Sequence, residues 1–181
     1  LIERTGRTLI YPYDEPRVIA GAGTAALELL EDAGTLDALI APVGGGGLMS
    51  GSCIATAAMA PQTRLFGAEP EGADDARLSL ESGRLQRNEH VRTVADGLRT
   101  NLSERTFAII RGHVEAILTV DDEAILRAMR FLWERLKLVV EPSGAVGVAA
   151  LMEHSAELRG AKVGVILSGG NVDLDGFFAH G

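Results

Sequence analysis

The sequence predicts an α/β protein whose open, mostly parallel sheet is covered by helices on both faces. Short apolar runs alternate with longer amphipathic runs along most of the 181 residues, which is typical of strands joined by helical crossovers. The run at 37–43, DALIAPV, is almost entirely apolar, as expected for a strand that is buried on both faces. A chain of this length can enclose one ordinary core, so we expect a single domain.

Helix signals are strongest where the end residues agree with the apolar period. Pro16 suits the first turn of a helix that Gly34 ends, and Pro61 stops a helix of small residues. Acidic residues at 121–123 open the clearest amphipathic helix. The predicted helices span 15–34, 48–60, 73–83, 104–112, 121–137 and 143–158.

The predicted strands are the short apolar runs between these helices. They lie at 8–12, 37–43, 63–70, 114–120 and 162–168, and residues 84–103 form a polar stretch with little periodicity.

Composition argues against several kinds of partner. The formal net charge of −8 argues against nonspecific nucleic-acid binding and against a basic membrane-surface patch. No apolar run approaches the roughly 20 residues of a membrane span. The single cysteine, Cys53, cannot form an internal disulfide, which predicts a packing role and a reducing, cytoplasmic compartment. The sequence begins without an initiator Met and in mid-pattern, so we expect it to be part of a longer chain.

Four consecutive glycines, Gly44–Gly47, separate a predicted strand from a predicted helix. Successive N–H groups at a helix start form a phosphate-binding cradle, and a flexible turn is the alternative explanation. The loop lacks the Lys and Ser/Thr of a Walker A motif. Another segment, GAGTAA at 21–26, fits a loose dinucleotide-binding pattern, but it lies inside a predicted helix, where tight helix packing explains it better.

Three further features place polar groups at predicted strand ends. Glu69 ends a strand and Asp74 and Asp75 open the next helix. Carboxylates with backbone carbonyls suit Mg²⁺, Mn²⁺ or Ca²⁺, whereas ordinary acids of a helix N-terminus are the plainer explanation. Ser168 precedes two glycines, and its hydroxyl either contacts a ligand or lies in an ordinary turn. Glu141 is either a buried acid that faces a site or a plain loop acid.

Five segments, taken in chain order, resemble one family. They are PVGGGGLMSG, GAEPEGADD, VADGL, LKLVVEPSGAVGVAAL and VILSGGNVDL, and with EPRVIAGAGT they extend over nearly the whole chain. The same motifs occur in the same order in serine racemase and the serine/threonine dehydratases. These are pyridoxal-phosphate (PLP) enzymes of the tryptophan-synthase β-like fold, fold type II. The sequence is most similar to serine racemase-type members, because those carry the same acidic metal loop.

The resemblance implies ligands for PLP and for a divalent cation. The glycine loop matches the segment whose backbone holds the cofactor phosphate, and Ser168 matches the hydroxyl that meets the pyridine nitrogen. Glu141 matches an acid near the ring face and is a candidate accessory catalytic group. The implied cation ligands, for Mg²⁺, Mn²⁺ or Ca²⁺, are Glu69, Asp75 and the carbonyl of Ala73. The implied cofactor contacts are Gly44, Gly45, Gly46, Gly47, Leu48, Gly97, Glu141, Ser168 and Asn171.

The resemblance also implies a reaction. In the family, the α-proton of a small hydroxy amino acid is removed, and loss of the β-hydroxyl then gives a 2-oxo acid and ammonia. Reprotonation from the opposite face gives racemisation instead. The lysine that binds PLP covalently lies near the family's N-terminus in a Ser-x-Lys context, and neither Lys137 nor Lys162 matches it.

We therefore expect residues 1–181 to be the C-terminal part of a large PLP-binding domain that is inactive by itself. The lysine-bearing region and the small substrate-binding domain would lie outside it, and the apolar surface left uncovered favours a homo-oligomer or pairing with the missing part. A non-catalytic domain that binds a phosphorylated small molecule is the main alternative. An unrelated nucleotide-binding domain is a weaker one.

Overall fold

The structure is a computed structural model that describes residues 2–173. Its centre is a four-stranded, all-parallel sheet in the order β3-β2-β1-β4. The strands are β1 (Ala38–Pro42), β2 (Arg64–Pro70), β3 (Ala116–Val120) and β4 (Val163–Val165).

Helices connect and flank these strands. They are α1 (Ile2–Thr5), α2 (Pro16–Ala33), α3 (Gly47–Met59), α4 (Asp75–Ser82), α5 (Glu104–His113), α6 (Asp122–Phe131) and α7 (Pro142–Glu153). Short 3-10 turns lie at Glu71–Ala73 and Asp96–Leu98. Within residues 2–173, no helix has both the length and the apolar content that crossing a membrane requires.

The alternation of side chains along β1 separates two apolar cores. Ala38 and Ile40 face one core together with residues of α6 and α7. Leu39 and Ala41 face the opposite core, which includes residues of α2, α3 and α5. Because β1 is buried along its whole length, the sheet needs helices on both faces. The predicted α/β fold with a parallel sheet and two helical layers is therefore confirmed.

Local signals account for most helix ends. Pro16 occupies the first turn of α2, and Gly34 ends that helix with a φ of 68°. At α5, Ser103 and Thr106 form a capping box in which each side chain bonds the other residue's backbone N–H. The Asp121 carboxylate accepts a hydrogen bond from the backbone N–H of Ala124 at the start of α6, at 2.7 Å.

The predicted strand at 8–12 is wrong. Residues 6–11 have no regular structure, and Leu9, Ile10 and Tyr11 are 52%, 67% and 57% exposed. A strand needs a neighbour to bond its backbone, and the described sheet ends at β3 on one side and at β4 on the other. The short apolar run pairs with neither of these two edge strands.

Three predicted elements end three or more residues earlier than the sequence pattern indicates. The last strand ends at Val165 rather than at 168, because beyond it only one ladder bond continues, from Ile166 N to Ile40 O. The helix predicted at 121–137 changes at Phe131 into a π-helical turn, and the one predicted at 143–158 ends at Glu153. Ser168 therefore lies in the loop after β4 rather than at the strand's end.

Candidate functional site

The candidate site lies at the carboxyl edge of the sheet, between β1 and β4. The two strands pair in parallel, with Ile40 opposite Val165. From β1 the chain crosses to β2 on one side, whereas β4 lies on the other side of β1. Such a reversal of strand order opens a crevice at the carboxyl ends, where open α/β sheets bind ligands. Gly44–Gly47 follow β1 and Ser168 follows β4, so the two loops border this crevice.

The glycine loop presents buried backbone donors. All four glycines are buried, and Gly46 is left-handed, with a φ of 83°. Within the described part of the chain, no oxygen accepts a hydrogen bond from the N–H of Gly44, Gly45 or Gly46, and no side chain caps α3. Buried donors without acceptors are costly, and the start of α3 adds partial positive charge. The loop is therefore suited to an anion such as a phosphate group.

Close packing explains why no side chain fits in the loop. A Cβ on Gly44 would lie 3.0 Å from the Thr100 hydroxyl oxygen and 3.3 Å from the carbonyl oxygen of Gly97. A Cβ on Gly46 would lie 2.6 Å from Leu102 Cδ2. The polar stretch that precedes α5 thus packs directly against the loop. Leu48, the second residue of α3, is half-buried.

Gly97 is held beside the glycine loop by a residue far away in sequence. Its N–H donates to the hydroxyl oxygen of Ser143, near the start of α7, at 2.9 Å. It also lies 3.0 Å from the side-chain oxygen of Asp96. The carbonyl oxygen of Gly97 would lie 3.3 Å from a Cβ on Gly44, so the backbone of Gly97 borders the glycine loop.

Glu141 connects α7 to the loop after β4. Its N–H donates to the carbonyl oxygen of Gly169 at 3.1 Å, and the backbone N–H of Asn171 donates to its carboxylate. Partial burial, reinforced by the charge of Asp96, raises the pKa of Glu141 above its ordinary value. Ser168 in the same loop is exposed, and its hydroxyl has no hydrogen-bond partner among residues 2–173. The loop therefore offers a free hydroxyl beside a half-buried acid.

The acidic loop after β2 forms a separate buried cluster. Glu69 is fully buried, and its two carboxylate oxygens accept hydrogen bonds from the N–H groups of Ala76 and Arg77, at 3.1 and 3.0 Å. One oxygen of Asp75 accepts from Leu102 N at 2.8 Å, whereas the other, Oδ1, is buried without a partner. The plainer explanation, acids at a helix N-terminus, thus holds for Glu69.

Burial nevertheless disfavours the charged forms of the two carboxyl groups in this acidic cluster. Burial, with repulsion from Asp75, raises the pKa of Glu69 well above its ordinary value. Burial raises the pKa of Asp75 to about 6. Within residues 2–173 no group of three or more His, Cys, Asp or Glu side chains could hold a metal ion. A cation here would therefore need a further ligand, such as a backbone carbonyl. Ala73 lies buried in the 3-10 turn between the two acids.

Sequence reasoning missed Tyr13, which packs on the glycine loop. A Cβ on Gly45 would collide with the Tyr13 ring, and one on Gly47 would lie 2.9 Å from Tyr13 Cβ. No local signal marks this residue, because it lies 32 positions from Gly45 in a segment without regular structure. Its neighbour Tyr11 is exposed.

Comparison with known proteins identifies the class to which this fold and site belong. Residues 1–169 match the family described as pyridoxal-phosphate dependent enzyme, and the chain belongs to that family. The chain is 52% identical over 170 residues to the L-threo-3-hydroxyaspartate ammonia-lyase of Saccharomyces cerevisiae, covering 93% of this chain and 52% of that protein.

Two solved structures are similar over almost the whole chain. A maize serine racemase superposes with a TM-score of 0.93 at 43% identity, covering 99% of this chain and 57% of that one. A T.th. threonine deaminase superposes with a TM-score of 0.91 at 53% identity, covering 96% and 65%. The chain therefore spans about half the length of the curated relatives it matches.

Proposed function

We propose that this chain is the cofactor-binding part of a PLP-dependent enzyme that acts on small hydroxy amino acids. The enzyme would be either an ammonia-lyase (dehydratase) for serine, threonine or 3-hydroxyaspartate, or a serine racemase. One observation carries the proposal: the buried N–H donors of Gly44, Gly45 and Gly46 have no acceptor within residues 2–173, and they border the crevice between β1 and β4. The names of the relatives support the choice of substrate.

The residues of the crevice fit the cofactor group by group. PLP, when bound, would supply an electron sink for bond breaking at the substrate's α-carbon. The N–H groups of Gly44–Gly47 and Leu48 would hold the phosphate, and the free hydroxyl of Ser168 would meet the pyridine nitrogen. A serine does not impose a proton on that nitrogen as a carboxylate would.

The remaining contacts would lie beside the ring. The backbone of Gly97 would border one side of the ring, and Asn171 would support it from the loop after β4. Glu141 would stand near the ring face, where partial burial raises the pKa of its carboxyl group above the ordinary value. There Glu141 would be a candidate accessory catalytic group.

The acidic loop fits a divalent cation, which is the second part of this proposal. The Oδ1 of Asp75 is buried without a hydrogen-bond partner, and the carboxylate of Glu69 is fully buried. With the carbonyl of Ala73 they would supply the oxygen ligands that Mg²⁺, Mn²⁺ or Ca²⁺ prefers. The cation would fasten α4 to the polar stretch, because Leu102 N already bonds Asp75.

The two lysines of this chain do not fit the covalent attachment of PLP. Lys162 Nζ donates to the carbonyl oxygen of Ala33. Lys162 lies at the amino end of β4, whereas the glycine loop follows the carboxyl end of β1. Lys137 Nζ donates to the carbonyl oxygen of Glu134 in its own helical turn. We therefore infer that residues 1–181 correspond to the C-terminal part of a large PLP domain. The lysine and the substrate-gripping groups would come from another segment.

Association is part of the same inference. Ile54 and Met59 on α3 are 51% and 52% exposed and line an apolar groove beside α2. Such a surface supports self-association or pairing with a further segment. The single buried thiol, Cys53, fits a reducing compartment such as the cytoplasm.

Two measurements test the function. Equilibrium dialysis of the 181-residue chain should show tighter binding of PLP than of pyridoxal, which lacks the phosphate. Equal affinities would refute the phosphate cradle. The longest protein that contains this chain should then form a 2-oxo acid from L-serine, L-threonine or L-threo-3-hydroxyaspartate, or racemise L-serine, whereas the 181-residue chain alone should do neither.

A non-catalytic domain for a phosphorylated ligand is the second candidate. The positions of Lys137 and Lys162 favour it for the isolated chain, because each ammonium bonds a carbonyl oxygen away from the glycine loop. Selective PLP binding without turnover or racemisation in any longer form of the protein would favour this candidate.

A further inference from the structure

Tyr13 packs against two of the four glycines that form the proposed phosphate cradle. We propose that Tyr13 is a positioning residue for the cradle, holding the loop in shape for a phosphate group through its ring and backbone. This inference rests on the proposed function, since it concerns how the same loop binds its ligand. It assigns a role to a residue that the motifs of the chain do not mark.

The loop is held from two sides, and its glycines alternate between them. Gly44 and Gly46 pack against the 97–110 region, including Thr100 and Leu102. Gly45 and Gly47 pack against Tyr13: the three atoms nearest to a Cβ on either glycine all belong to that residue. The ring covers Gly45, and the Tyr13 carbonyl oxygen lies 3.1 Å from a Cβ on Gly47. Removing this side chain would therefore remove the atoms that lie nearest to a Cβ on Gly45.

The segment that carries Tyr13 is itself anchored. Arg105 on α5 donates from its guanidinium to the carbonyl oxygen of Asp14 at 3.1 Å, and the charged groups of the two residues lie 3.6 Å apart. On the other side, the carbonyl of Glu15 accepts the first helical bond of α2, from Ile19 N at 3.0 Å. Tyr13 is thus fixed from α2 and from α5, although the residues before it have no regular structure.

Conformational entropy makes this contact matter for binding. Glycine has more backbone freedom to lose than any other residue, and fixing one residue's backbone costs roughly 1–2 kcal/mol. Four consecutive glycines would sample many shapes unless neighbouring groups restrained them. Groups restrained before the ligand arrives bind more tightly, because the ordering cost is not taken from the binding energy.

The contact uses the flat ring and the backbone, and the structure gives the Tyr13 hydroxyl no hydrogen bond within residues 2–173. A phenylalanine should therefore replace Tyr13 without loss, whereas an alanine should not. Tyr11, two residues earlier and 57% exposed, offers a matched control that changes the same residue type in the same segment without contacting the loop.

The test compares PLP and pyridoxal as probes of the full 181-residue chain, in the wild type and in Tyr13→Ala, Tyr13→Phe and Tyr11→Ala. Tyr13→Ala should weaken PLP binding about tenfold, which corresponds to the ordering of about one residue, and should change pyridoxal binding less than about twofold. Tyr13→Phe and Tyr11→Ala should keep the wild-type ratio of the two affinities. Thermal unfolding of each variant reports stability separately.

The outcomes separate this inference from the function on which it rests. A wild type that binds the two probes equally refutes the phosphate cradle itself. A wild type that prefers PLP, with an unchanged preference in Tyr13→Ala, refutes the role of Tyr13 alone, even where the variant is less stable. If Tyr13→Ala does not fold, Tyr13→Leu decides, because it keeps apolar bulk without the flat ring. The inference requires a reduced PLP preference in that variant, and an unchanged one overturns it.

Discussion

Replacing Gly46 with alanine should destabilise the fold by about 2–5 kcal/mol. Gly46 has a φ of 83°, and its new Cβ would lie 2.6 Å from Leu102 Cδ2, 2.9 Å from Thr106 Cβ and 3.0 Å from Ile110 Cδ1. The left-handed backbone costs an alanine roughly 1–2 kcal/mol. Overpacking against buried neighbours adds about 1–3 kcal/mol.

Gly83 provides the matched control for this substitution. It has a φ of 67° at the end of α4, but a Cβ there would meet no atom within 4 Å. Gly83→Ala should therefore lose only the backbone contribution, roughly 1–2 kcal/mol. The difference between the two variants isolates the crowding around the glycine loop.

Urea unfolding followed by circular dichroism measures both changes. With a denaturant slope of about 2 kcal/mol per molar urea, Gly46→Ala should lower the midpoint by about 1–2.5 M and Gly83→Ala by less than about 1 M. Equal losses in the two variants would refute the reasoning, because they would mean that Leu102, Thr106 and Ile110 leave room for a side chain. A change in slope would instead indicate altered compactness.

Three other predictions concern buried groups and a helix end. Burial raises the pKa of Asp75 to about 6, whereas an unfolded Asp titrates near pH 3.9. The folded state therefore binds this proton more tightly than the unfolded state does. The free energy of unfolding should consequently fall by at most about 3 kcal/mol as the pH rises from about 4 to 6. Urea unfolding of the wild type and of Asp75→Asn at several pH values measures this loss, which saturating Mg²⁺ or Ca²⁺ should offset. Parallel pH profiles of the two proteins would contradict the prediction. Burial raises the pKa of the Cys53 thiol to about 12, so a disulfide reagent at pH 8 should modify it only at the rate of unfolding; fast modification of the native protein would show that the thiol is accessible. Ser103→Ala should lower the free energy of unfolding by about 1 kcal/mol, because it removes the capping box of α5. Ser155→Ala, on an exposed turn, is the control and should cause no change. Thermal unfolding measures both variants, and equal effects would mean that the cap contributes nothing.

Local chemistry made much of the fold predictable. The apolar period distinguishes strands from helices, and residues such as Pro16 and Gly34 mark helix ends through their backbone requirements. The prediction failed at 8–12, where a short apolar run resembles a strand. Whether such a run forms a strand depends on a partner to bond its backbone, and composition contains no information about that partner.

The candidate site was predictable to different extents. The glycine loop, Glu69 and Asp75 are visible as unusual residues after predicted strands, because ligands of parallel sheets bind at carboxyl ends. Gly97 and Asn171 could be selected only through resemblance to a family, since neither has a local feature of its own. Gly97 reaches the site through a bond to Ser143, 46 positions away.

The sequence by itself determined the order of strands and helices from α2 onward, the buried character of β1 and the place of the glycine loop. These follow from the local period of apolar residues and from the backbone freedom of glycine. Only the tertiary structure decided the strand order β3-β2-β1-β4, the unpartnered Oδ1 of Asp75 and the contact of Tyr13 with Gly45. Each of these depends on which distant segments meet when the apolar faces are buried. The hydrophobic effect has no preferred direction, so the packing of the whole chain, and not any local segment, decides which segments meet.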